Sequence, residues 1–331
     1  MGDTGYGVAI VGLGMGHAAC PWVIKAPGVK LTAVCDLNAE RLKKSTDEFK
    51  VAGETDYAKL LERKDVDIVY IMTPSGLHAE MGVKAAAKGK HVIVAKPMDV
   101  SLEACDRLID ACEKAKVLCS VDFNGRFDDL QQKIRFAIDQ GLFGKLILGE
   151  ARLKWYRSDQ YYAAGGWRGT WKMDGGGALA NQTIHQIDQL QWYMGQVDCV
   201  VAAEAGIYNH EKIETEDLGL AIVKFKNGAA GTVMGTTTFP VNAYAGLEIH
   251  GSAGGVLAMR GDPSWFFHEK EREQQIQRAS EVRTSVEDMA RVLDGKQKSL
   301  LCDGHEGRKS IELLTGIYRA SREKREIKFP L

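Results

Sequence analysis

Through about the first 120 residues, short apolar runs alternate with amphipathic stretches. Residues 8–11, 31–35, 66–72, 91–94 and 117–121 read as five buried strands. Helical spacing fills the gaps at 38–49, 76–88 and 101–116, and one further helix fits between the first two strands. Asn38 and Ser101 stand where N-caps belong, and Gly89 ends the 76–88 helix. Apolar strands separated by helices imply a parallel sheet with helices on both faces, a Rossmann-type α/β domain.

After Arg126 the period changes. Helices are expected at 129–140, 178–194, 285–293 and 303–322, the last opened by a capping-box pair, Asp303 and Glu306. Alternating runs at 149–156, 197–207, 218–225, 231–239, 246–251 and 256–259 read as strands. Asn227-Gly228 predicts a type I′ hairpin, and Gly251, Gly254 and Gly255 predict turns. The charged run 269–278 reads as a solvated face. This half is expected to be an α+β domain with a large, mostly antiparallel, open-faced sheet. The expected domains are 1–124 and 125–331, with helix 303–322 free to pack back on the first.

A chain of 331 residues exceeds what one core usually supports, which fits two domains. Lys and Arg number 43 against 44 Asp and Glu, a net charge of −1 that gives no case for nucleic acid or anionic membrane. No apolar run is long enough to span a bilayer, and residues 1–6 lack a leader pattern, so a cytoplasmic protein is expected. Seven scattered cysteines and eight histidines show no metal-ligand spacing, so neither disulfides nor a metal is expected.

Composition leaves 36 glycines to explain, and the first cluster carries chemistry. Gly12, Gly14, Met15 and Gly16 follow the first strand directly, with His17 standing where a third spaced glycine would fall. Asp36 ends the second strand, where a carboxylate can accept both hydroxyls of an adenosine ribose. Leu37 and Asn38 follow instead of arginines, so NAD is expected over NADP. Thr73-Pro74 with His78, and Lys96-Pro97, lie at the carboxyl ends of later strands, the rim where open parallel sheets bind ligands. A lysine held there is a candidate for a desolvated ammonium. His78 is either a site residue or a helix-start residue satisfied by backbone.

Taken in order, G-x-G, Asp36, T-P-x-x-x-H (Thr73, Pro74, His78), K-P (Lys96, Pro97), Arg126 and N-x-x-x-H-x-x-D (Asn181, His185, Asp188) resemble the Gfo/Idh/MocA family. The resemblance spans nearly the whole chain and implies an NAD(P)-dependent oxidoreductase acting on sugars, polyols or their derivatives. It implies that Lys96 contacts substrate and nicotinamide ribose, that His185 is the acid/base on the reacting hydroxyl, and that Arg126 and Asn181 lie with the substrate. Ala95 replaces the glutamate that commonly precedes K-P, and Asn181 cannot take a proton, which leaves that work to His185 and Lys96.

An imidazole titrating near neutrality suits proton transfer in either direction. Asp188 is either part of that face or a buttress of its helix. Between residues 155 and 177, Trp155, Tyr156, Tyr161, Tyr162, Trp167 and Trp171 crowd together with Arg157 and Arg168. Aromatic faces suit sugar rings and arginines suit hydroxyls or acidic groups, so Tyr156, Trp167 and Arg168 are expected at the substrate. Part of the cluster also fits ordinary packing or subunit contact. Two other readings stay open: an NAD-assisted glycosidase working by transient oxidation and elimination, and a non-catalytic NAD or sugar sensor. A homodimer or homotetramer through the second sheet is expected.

Overall fold

The computed structural model describes residues 5–259 and 263–331, so the opening residues tested for a leader lie partly outside it. The chain divides into two units. The first runs to Asn124 and also takes in Val282–Arg308; the second holds Gly125–Glu281 and Lys309–Leu331.

In the first unit the strands are β1 (Tyr6–Val11), β2 (Val29–Cys35), β3 (Ala52–Glu54), β4 (Ile68–Ile71), β5 (His91–Ala95) and β6 (Cys119–Asp122). All pair in parallel, in the order β3-β2-β1-β4-β5-β6. The helices are α1 (Leu13–Lys25), α2 (Ala39–Phe49), α3 (Tyr57–Leu61), α4 (His78–Ala87) and α5 (Leu102–Ala115). Asn38 caps α2 through Arg41 N and Ser101 caps α5 through Ala104 N, as their positions predicted. The edge strand β3 was not foreseen, because Ala-Gly-Glu carries no apolar period. Strand order reverses between β1 and β4, so their carboxyl ends flank the crevice where such sheets take ligands.

Expected as one stretch from 125 to 331, the second domain instead lacks Val282–Arg308. The cause is apolar burial: Val286 and Met289 belong to the core cluster of Val8, Ile10, Ile68, Tyr70 and Ile93. Asp303 caps the start of the last long helix through Glu306 N, and Cys302 O accepts from Val121 N.

The second unit holds α6 (Asp129–Asp139), β7 (Leu146–Lys154), α7 (Asp159–Ala163), a π-helical turn (Ala178–Thr183) and α8 (Ile184–Met194). Strands β8 (Val197–Gly206), β9 (Leu218–Phe225), β10 (Ala230–Thr236), β11 (Tyr244–Gly251), β12 (Gly254–Met259) and β13 (Ser264–Phe267) follow. Next come α9 (Ser285–Leu293) in the first unit, α10 (Gly304–Glu323), whose residues from Lys309 onward belong to the second unit, and β14 (Ile327–Lys328).

The eight strands run β13-β12-β11-β7-β10-β9-β8-β14 and are antiparallel except for the parallel β7–β10 pair. Along β9 buried residues alternate with exposed Leu220, Ile222 and Lys224, the signature of a sheet covered on one face. The hairpin at Asn227-Gly228 forms, but not as type I′. Only Gly228 has positive φ (88°); Gly228 N donates to Phe225 O and Phe225 N to Ala229 O, a type I turn closed by a left-handed glycine. The charged run is not wholly solvated either, since Arg278 is nearly buried against Asp129. All seven cysteines are buried and outside any disulfide.

Candidate active site

The β1–α1 turn is shaped by its glycines. Gly12 takes φ 90°, and a Cβ there would lie 2.7 Å from Met72 O and 2.9 Å from Thr73 N, so only glycine fits at the switch point. A Cβ on Gly16 would meet Ile10 Cγ2 at 2.7 Å, so Gly16 brings α1 down onto β1 in place of the missing third glycine. His17, at that spaced position, faces α2 instead, with Nδ1 2.9 Å from Ser45 Oγ. Above Gly14 the nearest atom is the Arg41 guanidinium at 3.8 Å, and Met15 is 68% exposed, which leaves the turn open.

Asp36, at the end of β2, accepts from Leu13 N through Oδ2 (2.6 Å) and from Asn38 N through Oδ1 (2.7 Å). It therefore braces the turn while half exposed, and a carboxylate with two oxygens keeps lone pairs for a ribose. An open glycine backbone, a helix N-terminus and this carboxylate form a donor set that fits a dinucleotide.

His78 is buried, with Nδ1 2.9 Å from Pro97 O and Nε2 2.8 Å from Thr73 O. Burial holds its pKa below the ordinary histidine value, although both carbonyls favour the protonated ring. Its ring thus ties the Thr73-Pro74 turn to the Lys96-Pro97 turn, the backbone-satisfied role left open by the sequence. Lys96 follows β5 directly and is half-buried. Asp99, not foreseen as a contributor, supports the same rim by accepting from Ala79 N and Val100 N.

In the second unit, Asn181 sits in the π-helical turn that leads into α8, and His185 lies in the first turn of α8. Both are half-buried. Gly177 starts this segment because a Cβ there would collide with the Glu216 carbonyl oxygen. The Glu216 carboxylate then accepts from Gly177 N (2.9 Å), Leu179 N (2.8 Å) and Tyr318 Oη (2.9 Å). Burial pushes its pKa up to about 7. Asn181 Nδ2 donates to buried Asp174 (2.6 Å), and its Oδ1 accepts from Gln182 Nε2 (2.9 Å). Gln182 also reaches Tyr161 Oη (2.9 Å) and accepts from Arg157 (2.8 Å), joining the helix to the aromatic segment.

Arg126 and Asp188 meet in the interior of the second unit. Arg126 is only 2% exposed and grips Asp188, itself 1% exposed, through two bonds of 2.9 and 2.7 Å. Its guanidinium also stacks 5.2 Å over Trp192. A buried cation demands such pairing, so Arg126 and Asp188 brace each other inside the second unit. Among the aromatic residues, Tyr156 is 48% exposed and Trp167 half-buried beneath Arg168, whereas Tyr162 is buried on Thr237.

Asp174, Gln182 and Glu216 were not foreseen. Only Glu216 had a signal, as half of an acidic pair directly before a strand with no basic neighbour.

Among the described residues no helix is long and apolar enough to cross a membrane, and no acidic, His or Cys group could hold a metal. Two family models match in succession. "Oxidoreductase family, NAD-binding Rossmann fold" covers residues 6–123, and "GFO/IDH/MocA C-terminal domain" covers 131–257. The scyllo-inositol 2-dehydrogenase (NAD(+)) of Bacillus subtilis (strain 168) is 30% identical over 255 residues, 75% of this chain and 72% of that protein. The myo-inositol 2-dehydrogenase of Thermotoga maritima is 25% identical over 320 residues, 90% of each. The WlbA dehydrogenase from Bordetella pertussis, solved with NADH and UDP-GlcNAcA, superposes with a TM-score of 0.90 at 29% identity, covering 100% of this chain and 99% of that one. The matched regions, the relatives and the ordered motifs agree, and this chain belongs to the Gfo/Idh/MocA family of NAD-binding oxidoreductases.

Proposed function

We propose that the protein is an NAD-dependent dehydrogenase or reductase of a ring secondary alcohol in a sugar, cyclitol or nucleotide-linked sugar, with His185 and Lys96 as its acid/base pair. The observation that carries this reading is the chain of bonds from Asp174 through Asn181 and Gln182 to Tyr161 and Arg157. It ties the helix bearing His185 to an aromatic and arginine-rich surface suited to a sugar ring.

Gly12, Gly14, Met15 and Gly16 would hold the pyrophosphate and Asp36 the ribose, with the Thr73-Pro74 turn and Lys96 on the nicotinamide side. NAD supplies the hydride acceptor when bound. His185 takes the proton from the carbinol hydroxyl during oxidation and returns it during reduction. The Lys96 ammonium steadies the negative charge that develops on the same oxygen. Asn181, anchored on Asp174, donates no proton and positions the substrate. Residues 1–124 serve the cofactor and 125–331, without Val282–Arg308, serve the substrate. A second copy docks on the open face of the second sheet, where Leu220 and Ile222 are exposed.

A panel of sugars, cyclitols and sugar acids followed by nicotinamide absorbance tests the reading. His185→Ala and Lys96→Ala should each lower kcat/KM by at least about a hundredfold while NADH still binds. Full activity in both variants would overturn the acid/base assignment. Sugar release without net NADH would replace the dehydrogenase with the NAD-assisted glycosidase.

A further inference from the structure

Between Trp155 and Arg168 the side chains alternate aromatic and cationic. Arg157 lies 4.8 Å from the Trp155 ring centroid and 5.2 Å from that of Tyr161. Arg168 lies 4.8 Å from the same Tyr161 ring and 5.0 Å from Trp167. Two guanidinium charges therefore share one tyrosine, at half-buried positions where water screens them only partly.

Neither arginine forms an ion pair with a carboxylate among the described residues; their polar partners are neutral. Arg157 donates to Tyr156 O, Asn242 Oδ1 and Gln182 Oε1. Arg168 donates to Ala164 O alone. Each guanidinium has five donors in a planar fork, so the Nε side of both stays uncommitted. Aromatic faces steady a guanidinium by about 0.5–1 kcal/mol at exposed sites, far short of a counter-ion. Both cations thus lie within 5.2 Å of one ring centroid, with no acidic partner among the described residues to offset their charge. Elsewhere in the unit the arginines do find acids: Arg126 takes Asp188, Arg152 takes Glu150 and Glu248, and Arg278 takes Asp129.

We propose that Arg157 and Arg168 form an anion subsite, so that the substrate is a sugar bearing a carboxylate or phosphate group rather than a neutral polyol. This rests on the dehydrogenase reading above and narrows it. Arg157 is also bonded to Gln182, the neighbour of Asn181, so engagement of the anion is coupled to the helix that carries His185.

The test compares myo-inositol, glucuronic acid, glucose 6-phosphate and a UDP-linked hexose as substrates for the NAD-loaded protein. The acidic compounds should exceed inositol in kcat/KM by about tenfold or more, the factor one charge-assisted hydrogen bond carries. The carboxylate, monophosphate and diphosphate arms identify which anion is meant. R157Q and R168Q should raise KM for the best acidic substrate at least about tenfold more than for inositol, with NADH affinity as the check on folding. Because Arg157 also supports Gln182, R168Q is the cleaner variant.

Equal efficiency on neutral and acidic substrates, or equal KM changes on both in R168Q, would overturn the subsite and leave the dehydrogenase intact. No NADH formation from any compound by a protein that binds NADH would instead overturn the dehydrogenase reading itself.

Discussion

The Arg126–Asp188 pair offers a sharp test of what is structural and what is functional in the second unit. Both side chains are almost fully buried, the contact is bidentate at 2.9 and 2.7 Å, and Ser310 Oγ adds a third contact to Asp188 at 3.3 Å. Removing one partner strands a charge in the interior, so Arg126→Met or Asp188→Leu alone should cost about 3–5 kcal/mol. Removing both leaves apolar groups of similar bulk, and the double variant should return to within about 1–2 kcal/mol of the parent.

Urea denaturation followed by tryptophan fluorescence measures this directly, because Trp192 lies under the Arg126 guanidinium. Circular dichroism on the same samples separates the transitions of the two units. A single substitution costing less than about 1 kcal/mol would refute the reasoning, as would a double variant no more stable than the worse single one. Kinetics supply a second arm: the folded double variant should keep its substrate KM within about twofold, since an internal strut touches no substrate. A large rise in KM with stability restored would put Arg126 back among the substrate ligands.

Three further outcomes follow from the geometry. Glu216 has a folded pKa of about 7, raised by burial, against about 4.3 for an exposed glutamate. Its contribution to stability is therefore complete below about pH 4.3 and lost as pH rises through 7, a change of about 4 kcal/mol. Glu216→Gln should flatten the stability profile between pH 5 and 8 by an amount of that order, and an unchanged slope in urea melts would sink the assignment. Asp36→Ala should weaken NAD binding by roughly tenfold to a hundredfold in calorimetry; unchanged affinity would show that the cofactor register is wrong. Gly177→Ala pushes a methyl into the Glu216 carbonyl, displacing the turn that carries Asn181. Steady-state kinetics should show kcat falling by about a hundredfold with NADH affinity retained, and an unaltered kcat would remove this turn from the site's geometry.

Local signals made much of the candidate site legible. Asp36, Lys96 and His185 stand at strand ends or on a helix whose limits were visible from apolar period and capping residues, and the structure keeps all three half-exposed. Arg126 and Asp188 were invisible as a pair because 62 residues separate them, and nothing local reveals that two charges will meet in an interior. The absence of a third spaced glycine read as a departure, but Gly16 supplies the close packing from one residue earlier. Arg157 was seen only as one member of an aromatic crowd. That no acid among the described residues pairs with it is a fact about three-dimensional neighbours.

By itself the sequence determined the alternation of parallel strands and helices, the change to a sheet with one open face, and the ordered motifs of a nucleotide-dependent oxidoreductase. These follow from period, caps and turn residues, which act over a few positions along the chain. Only the tertiary structure decided that Val282–Arg308 joins the first unit, that Arg126 pairs with Asp188, that Glu216 braces the helix start, and that two stacked arginines have no acidic partner among the described residues. Each of those outcomes depends on burial and on pairing between distant residues, because the cost of an uncompensated charge is set by the completed interior.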